Sequence, residues 1–351
     1  MNLIKIGDKK IGEGKPCYII AEAGVNHNGR LDYARELIQI ASDSGADAVK
    51  FQTFKVENLI LDGVRKTGYQ NKNTKSNLTQ TEMLYQLQIS RDFHLELISH
   101  CKLKNIQFLS TPYDNESLDL LISMNVPALK VASTDTTNLL FLEKIASTKL
   151  PVILSTGMSD LSEISTAYTC LRRNGCKNLA ILKCTSEYPT KPNEVNLKSM
   201  ITLATIFDAI IGFSDHTSGI GASPYAVSLG AKIVEKHFTI DKNLPGPDHK
   251  ASLSPKELHL LVREIRRVEM MLGTKEIVPT ESERKNKTLL QKNLVAKALI
   301  QKGQILNRDN ITAKRTGGIG IAAIDAFKTL GMKSRLDINP NTPLNWWMLE
   351  Q

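Results

Sequence analysis

Short apolar runs in this 351-residue chain end, one after another, in residues that can do chemistry. The first run ends at Glu22, the second at Lys50 and Gln52, the third at Ser110 and Thr111, and the fourth at Lys130 and Ser133. The fifth ends at Ser155 and Thr156, and the sixth at Lys183, Thr185 and Tyr188. Ser214, Asp215 and His216 close the seventh, and Glu235 and His237 the eighth. A helix cap or a buried hydrogen bond explains any one of these, but a full succession points to one functional rim. Lys50 and Lys130, with the hydroxyls of Ser133, Ser155 and Ser214, suit a phosphate: the lysines supply charge and the hydroxyls hydrogen bonds. His216 and His237 suit either hydrogen-bonded core positions or a shared divalent metal. Two imidazoles leave the ion open, since water, a carboxylate or substrate must complete the shell. The stretch PGPDHKAS (245–252) carries Asp248 and His249 and reads as a solvent-facing turn or a loop that touches substrate. His94, His100 and His259 fall on helical patterns and read as surface or packing residues.

A rim of this kind needs a scaffold that gathers strand ends. The runs CYIIAE (17–22), AVKFQ (48–52), IQFLS (106–110) and ALKVA (128–132) are followed by PVILS (151–155), LAILK (179–183), AIIGF (209–213) and KIVEKHF (232–238). Between them lie amphipathic segments such as LDYARELIQIASDSG, which ends at Gly45, a plausible helix stop. Nearly continuous apolar strands alternating with helices predict a parallel sheet covered on both faces, and eight such units predict an α/β fold of the (β/α)8 TIM-barrel type. Its chemistry belongs at the C-terminal ends of the strands. KIGDKKIG near the N-terminus predicts a small hairpin ahead of the barrel. The barrel domain is expected over 1–273, a polar linker over 274–293 and a small, mostly β domain over 294–351. Trp346 and Trp347 are expected in core or interface packing.

Composition narrows the function classes. The net charge is +9, but Lys and Arg are scattered and aromatics make up only 5%, so no nucleic-acid stripe appears. A basic surface that draws in small anions fits better. The absence of a leader-like or membrane-spanning apolar run leads to the expectation of a cytoplasmic protein with no membrane partner. The five cysteines include no Cys-x-x-Cys pair and are expected as free thiols. No Gly-x-Gly-x-x-Gly opens a helix after the first strand, which argues against a Rossmann dehydrogenase.

Taken in order, IIAEAGVNHNG, VKFQTF, STPYD, LKVAS, ILSTGM, KCTSEYPT, GFSDHT, EKHFT and PGPDHKASL resemble the sialic acid (N-acetylneuraminate) synthases, including enzymes that make legionaminate and related nonulosonates. The C-terminal part resembles their SAF domain, which is similar to type III antifreeze proteins. The resemblance implies condensation of phosphoenolpyruvate with an open-chain N-acylated amino sugar, either N-acetylmannosamine or a 2,4-diacetamido-trideoxy relative. Phosphate is released, and a divalent metal is needed: Mn²⁺ is expected, with Mg²⁺ or Co²⁺ as alternatives. It implies catalytic roles for Glu22, Lys50 and Lys130. Phosphoenolpyruvate would be held by Lys50, Thr111, Lys130, Ser133, Ser155, Ser186, Tyr188 and Ser214, and the metal by His216 and His237. The sugar would meet Glu22, Gln52, Tyr188, Asp248 and, from the second domain of the other subunit, Arg315, so a domain-exchanged homodimer is implied. Phe51, Phe54, Asp114, Asp135 and Ser186 depart from the sialic acid enzymes, as does the insert over 68–84. These departures resemble the legionaminate branch, in which Phe51 and Phe54 would line an apolar sugar pocket. Two further readings stand beside this one: an aldolase using Lys130 as a Schiff-base nucleophile, and a carbohydrate- or ice-binding protein.

Overall fold

The computed structural model of the chain describes residues 3–66, 68 and 78–351, so part of the insert, 69–77, lies outside the described residues. The chain divides into two compact units, Met1–Gly273 and Thr274–Gln351.

The first unit opens with an antiparallel hairpin of β1 (Leu3–Ile6) and β2 (Lys9–Gly12). Eight parallel strands follow: β3 (Tyr18–Gly24), β4 (Ala48–Thr53), β5 (Gln107–Pro112), β6 (Leu129–Val131), β7 (Val152–Ser155), β8 (Leu179–Cys184), β9 (Ile210–Asp215) and β10 (Ile233–His237). Their order in the sheet is β5-β4-β3-β10-β9-β8-β7-β6, with β5 and β6 side by side, so the sheet curls into a (β/α)8 barrel. Helices cover its outside. Leu31–Asp43 buries Ala34, Leu37, Ile38 and Ala41, a helical spacing that presents one stripe to the sheet. Pro255–Leu272 starts at Ser254, whose side chain accepts from the Glu257 amide while the Glu257 carboxylate accepts from the Ser254 amide. Asp114, one of the departing residues, accepts from the Ser117 amide at 2.9 Å and caps Asn115–Ser123, a structural use for that substitution.

Alternation along the strands sorts side chains between two cores. Ile20, Leu109, Ile153, Leu182, Ile210 and Ile233 point into the barrel and join Ile4, Ile6 and Ile11 of the hairpin in one buried cluster. Ile19, Val49, Phe108, Val131, Leu154, Phe213 and Val234 point outward to the helices. With the interior residues fixed, the next inward positions toward the strand ends are Glu22, Lys50, Thr111, Lys130, Ser155, Cys184, Ser214 and Glu235. The neighbours of these residues face away. Asp215 accepts from the amides of Thr217, Ala222 and Ser223 and pairs with Lys236 at 3.1 Å. Ser110 bonds Thr53, which in turn bonds His94; this buried histidine is a packing residue.

In the second unit, β11 (Lys292–Ala296) pairs antiparallel with β12 (Ile311–Arg315), and β13 (Lys333–Ser334) with β14 (Leu349–Glu350). Leu294, Ile300, Leu306, Ile338 and Leu344 form its core. The stretch expected as a linker contains a capped helix, Glu281–Leu290. Trp346 and Trp347 are exposed, so the core reading of that pair does not hold. The cysteines are free thiols. Among the described residues no helix is long and apolar enough to cross a membrane.

Candidate active site

A cavity of about 390 Å³ opens at the C-terminal ends of the barrel strands. Glu22, Lys50, Gln52, Thr111, Lys130, Ser133, Ser155, Ser186, Tyr188, Ser214, His216, His237 and Asp248 all line it. Its floor is a charged cluster built from four strands. Lys50 Nζ lies 2.9 Å from Glu22 Oε2, donates to Thr111 Oγ1 at 2.8 Å, and sits 3.7 Å from Glu235 Oε2. Lys130 Nζ donates to Ser155 Oγ at 2.6 Å and lies 3.8 Å from Glu235 Oε1. Ser214 donates to that same carboxylate at 3.1 Å. Glu235 therefore bridges the two lysines. Beside this floor, Ser133 Oγ accepts from the Gly157 amide at 2.9 Å. A Cβ at Gly157 would lie 2.2 Å from Ser186 Oγ and 2.8 Å from Ser133 Oγ, so only glycine leaves both hydroxyls their places.

Burial and charge divide the ionisable groups. Burial raises the Glu22 carboxyl, Lys50 opposes it and Glu235 adds to it, leaving a pKa of about 7. Burial also works against ionised Glu235, but Lys130 and Lys50 outweigh it and hold that carboxyl below its ordinary value. Two carboxylates near one ammonium thus take different protonation states, the arrangement that separates a proton carrier from a fixed counter-ion. For Lys50 the attraction of Glu22 and Glu235 overcomes burial and raises its pKa; for Lys130 burial prevails and lowers it. Burial pushes Asp248 up to about 6.

The two histidines end adjacent strands, with ring centroids 5.6 Å apart and Tyr188 against both. His216 Nδ1 lies 2.7 Å from the Thr185 carbonyl oxygen, so it donates there and Nε2 carries the lone pair. His237 Nδ1 is buried without a hydrogen-bond partner, 3.9 Å from Asp248 Oδ2. Burial first, then the charge that His216 would carry if protonated and that of Lys50, hold His237 well below the usual imidazole value. Two available imidazole nitrogens beside a carboxylate fit a divalent ion. Among the described residues no group of three or more such side chains is poised as a metal cluster, so the histidines would leave the rest of the shell to water or substrate.

The same cavity has an apolar wall. Val25, Phe54, Val56, Met83 and Leu87 form one buried cluster, and Leu59, Ile60 and Leu84 pack on it. Met83, Leu84 and Leu87 come from the helix Gln80–Leu87, started by a Thr79/Glu82 capping box. That helix was missed in the sequence, although Thr79 and Glu82 have the spacing that announces it. Phe54 lines the cavity, but Phe51 does not: it faces outward, stacked on Phe108 at 5.9 Å, so the expectation that it lines the sugar pocket is corrected. Strand alternation requires this once Lys50 points inward. Asp135 is buried beside Asn138 and Thr134 and does not line the cavity. Arg315 is exposed at the end of β12 in the second unit.

Comparison with known proteins places this geometry. Residues 37–277 match the NeuB family and 293–350 the SAF domain. An N,N'-diacetyllegionaminic acid synthase of Campylobacter jejuni is 49% identical over 319 residues, 90% of this chain and 95% of that protein. One from Legionella pneumophila is 42% identical over 348 residues, 98% of each. The crystal structure of the N-acetylneuraminic acid synthetase of Leptospira borgpetersenii, in complex with citrate, superposes with a TM-score of 0.72 at 35% identity, covering 81% of this chain and 95% of that one.

Proposed function

The chain belongs to the NeuB family, and on that footing we propose that it condenses phosphoenolpyruvate with 2,4-diacetamido-2,4,6-trideoxymannose and water, giving a legionaminate-type nonulosonic acid and phosphate. The observation that carries this reading is a single cavity with a charged floor and an apolar wall. The floor holds two ammonium groups against one firmly ionised carboxylate, Glu235, and so has charge to spare for an anion. Lys50 and Lys130, with the hydroxyls of Thr111, Ser155, Ser214, Ser133 and Ser186, would hold phosphoenolpyruvate. Glu22, titrating near neutrality, would exchange a proton with the sugar or the attacking water. A divalent ion held by His216 and His237, manganese by expectation, would polarise the sugar aldehyde as a Lewis acid. Gln52, Tyr188 and Asp248 would orient the sugar.

The choice of sugar rests on the wall and on the relatives' names. A 6-deoxy methyl and two acetyl methyls bury well against Phe54, Met83 and Leu87, whereas a hydroxyl placed there would lose hydrogen bonds to water. Phosphate release should therefore favour the diacetamido sugar over N-acetylmannosamine by about tenfold or more in kcat/KM. Release should stop with a chelator and return with Mn²⁺. A preference for N-acetylmannosamine would move the protein to the N-acetylneuraminate branch, and release with neither sugar, in folded and metal-loaded protein, would sink the synthase reading.

We also infer a domain-exchanged homodimer in which Arg315 reaches the partner's barrel. Glu22→Gln and Arg315→Ala chains, each nearly inactive alone, should regain about a quarter of wild-type turnover when co-expressed, because each mixed dimer then holds one intact site. If Arg315 acted within its own chain, the mixture would stay inactive.

A further inference from the structure

The barrel carries a second cleft of about 560 Å³, lined by residues of β8 and of the helices Leu161–Arg173 and Ser199–Ile206. It shares Met158, Cys184 and Ser186 with the reaction cavity, so the two spaces adjoin at these side chains. Met158 holds that position with φ at +66°, a backbone region that bulky residues rarely occupy and that concentrates at functional sites.

The cation lining this cleft is Lys183. It precedes inward-facing Cys184, so it points away from the reaction cavity. Its ammonium donates to the Cys184 carbonyl oxygen at 2.8 Å and to Thr185 Oγ1 at 3.1 Å, both neutral. An ammonium has three donors, and the third remains to be used. Of the two carboxylates lining the cleft, Glu194 is paired with Lys191 at 3.3 Å and Glu187 is exposed. Among the described residues none pairs with Lys183. A half-buried cation without a counter-ion, among the hydroxyls of Ser159, Ser186, Ser199 and Thr202, has the composition of an oxyanion site. Burial draws the Lys183 pKa down, and the neighbouring Cys184 thiol only partly opposes it.

We propose that this cleft is a second oxyanion site, with Lys183 as its cation, and that it takes the phosphate released in the reaction cavity. The identity of the anion as product rests on the synthase reading; the existence of the site does not. Phosphate leaving the floor past Ser186 and Met158 would meet Lys183 before bulk solvent, and a filled cleft would slow the departure of the next phosphate.

Equilibrium dialysis of the metal-loaded protein with radiolabelled inorganic phosphate should find two sites per chain. Lys183→Met should lose one, its affinity falling about tenfold or more as a charged hydrogen-bonding partner goes, and Lys183→Arg should keep both. In turnover, phosphate should inhibit the wild type in both slope and intercept against phosphoenolpyruvate, and Lys183→Met only in slope. Phosphoenolpyruvate itself should fill one site per chain; two would assign the cleft to substrate and overturn the product role. One phosphate site in the unaltered protein overturns the proposal even where Lys183→Met fails to fold, as do two sites that both survive that substitution. Two sites, one of them lost in Lys183→Met, in a protein that turns over neither sugar would instead fault the synthase reading and leave the oxyanion site standing.

Discussion

Glu22→Gln is expected to lower turnover by about 10²- to 10⁴-fold, the range lost when a positioned proton carrier is removed. The substitution keeps the shape of a side chain that is almost fully buried and leaves Gln52 and Lys50 as neighbours. Binding of phosphoenolpyruvate should persist, or tighten, because the floor becomes more positive. The wild-type rate should titrate with a midpoint near pH 7, a value belonging to the coupled Glu22–Lys50–Glu235 cluster. That limb should vanish in the variant. Stability carries its own sign. The folded pKa of Glu22 lies above its ordinary value of 4.5, so the folded state binds the proton more tightly than the unfolded one. Ionised Glu22 therefore costs stability above pH 7, and the cost fades as pH falls through 7 toward 4.5. Urea unfolding at pH 8 should find Glu22→Gln at least as stable as wild type, which separates lost chemistry from lost folding. Near-wild-type turnover would remove Glu22 from the reaction.

Glu235→Gln should have the largest effect on the fold of the site. Glu235 is the carboxylate near both lysines, at 3.7 Å and 3.8 Å, and it accepts from Ser214. Its neutralisation leaves two buried ammonium groups with Glu22 alone, and breaking such a cluster costs about 3–5 kcal/mol. Part of the loss is recovered within the site. Without the repulsion of Glu235, Glu22 ionises more readily, so the limb near pH 7 should move to lower pH. The surplus positive charge should make anions bind more tightly. Phosphoenolpyruvate should raise the melting temperature of Glu235→Gln by more than it raises that of the wild type. Equal ligand shifts in the two proteins, with an unmoved pH limb, would show that Glu235 does not balance the lysines.

The architecture was legible because its signals are local. Eight apolar runs separated by amphipathic segments dictate a covered parallel sheet, and the polar residues after each run lie where such a barrel gathers them. The edges of strands moved by a residue or two, and the helix Gln80–Leu87 went unread although its capping box is written in Thr79 and Glu82. Glu235 was visible at a strand end, but so was Asp215, which the sequence placed on the same rim. Asp215 instead faces away from the cavity, paired with Lys236. The same ambiguity made Phe51 resemble a pocket residue beside Phe54.

By itself, then, the order of residues determined the repeating strand–helix units, the inventory of lysines, hydroxyls, carboxylates and histidines at the strand ends, and the family motifs they form. The tertiary structure alone decided the phase of each strand, and with it which of two adjacent polar residues enters the cavity. That phase is fixed by packing: Ile20, Leu109, Ile153, Ile210 and Ile233 fill the barrel above the N-terminal hairpin, and every second residue beyond them must point the same way. The pKa of Glu22 and the bridge made by Glu235 follow from distances between strands far apart in sequence, which no single segment encodes.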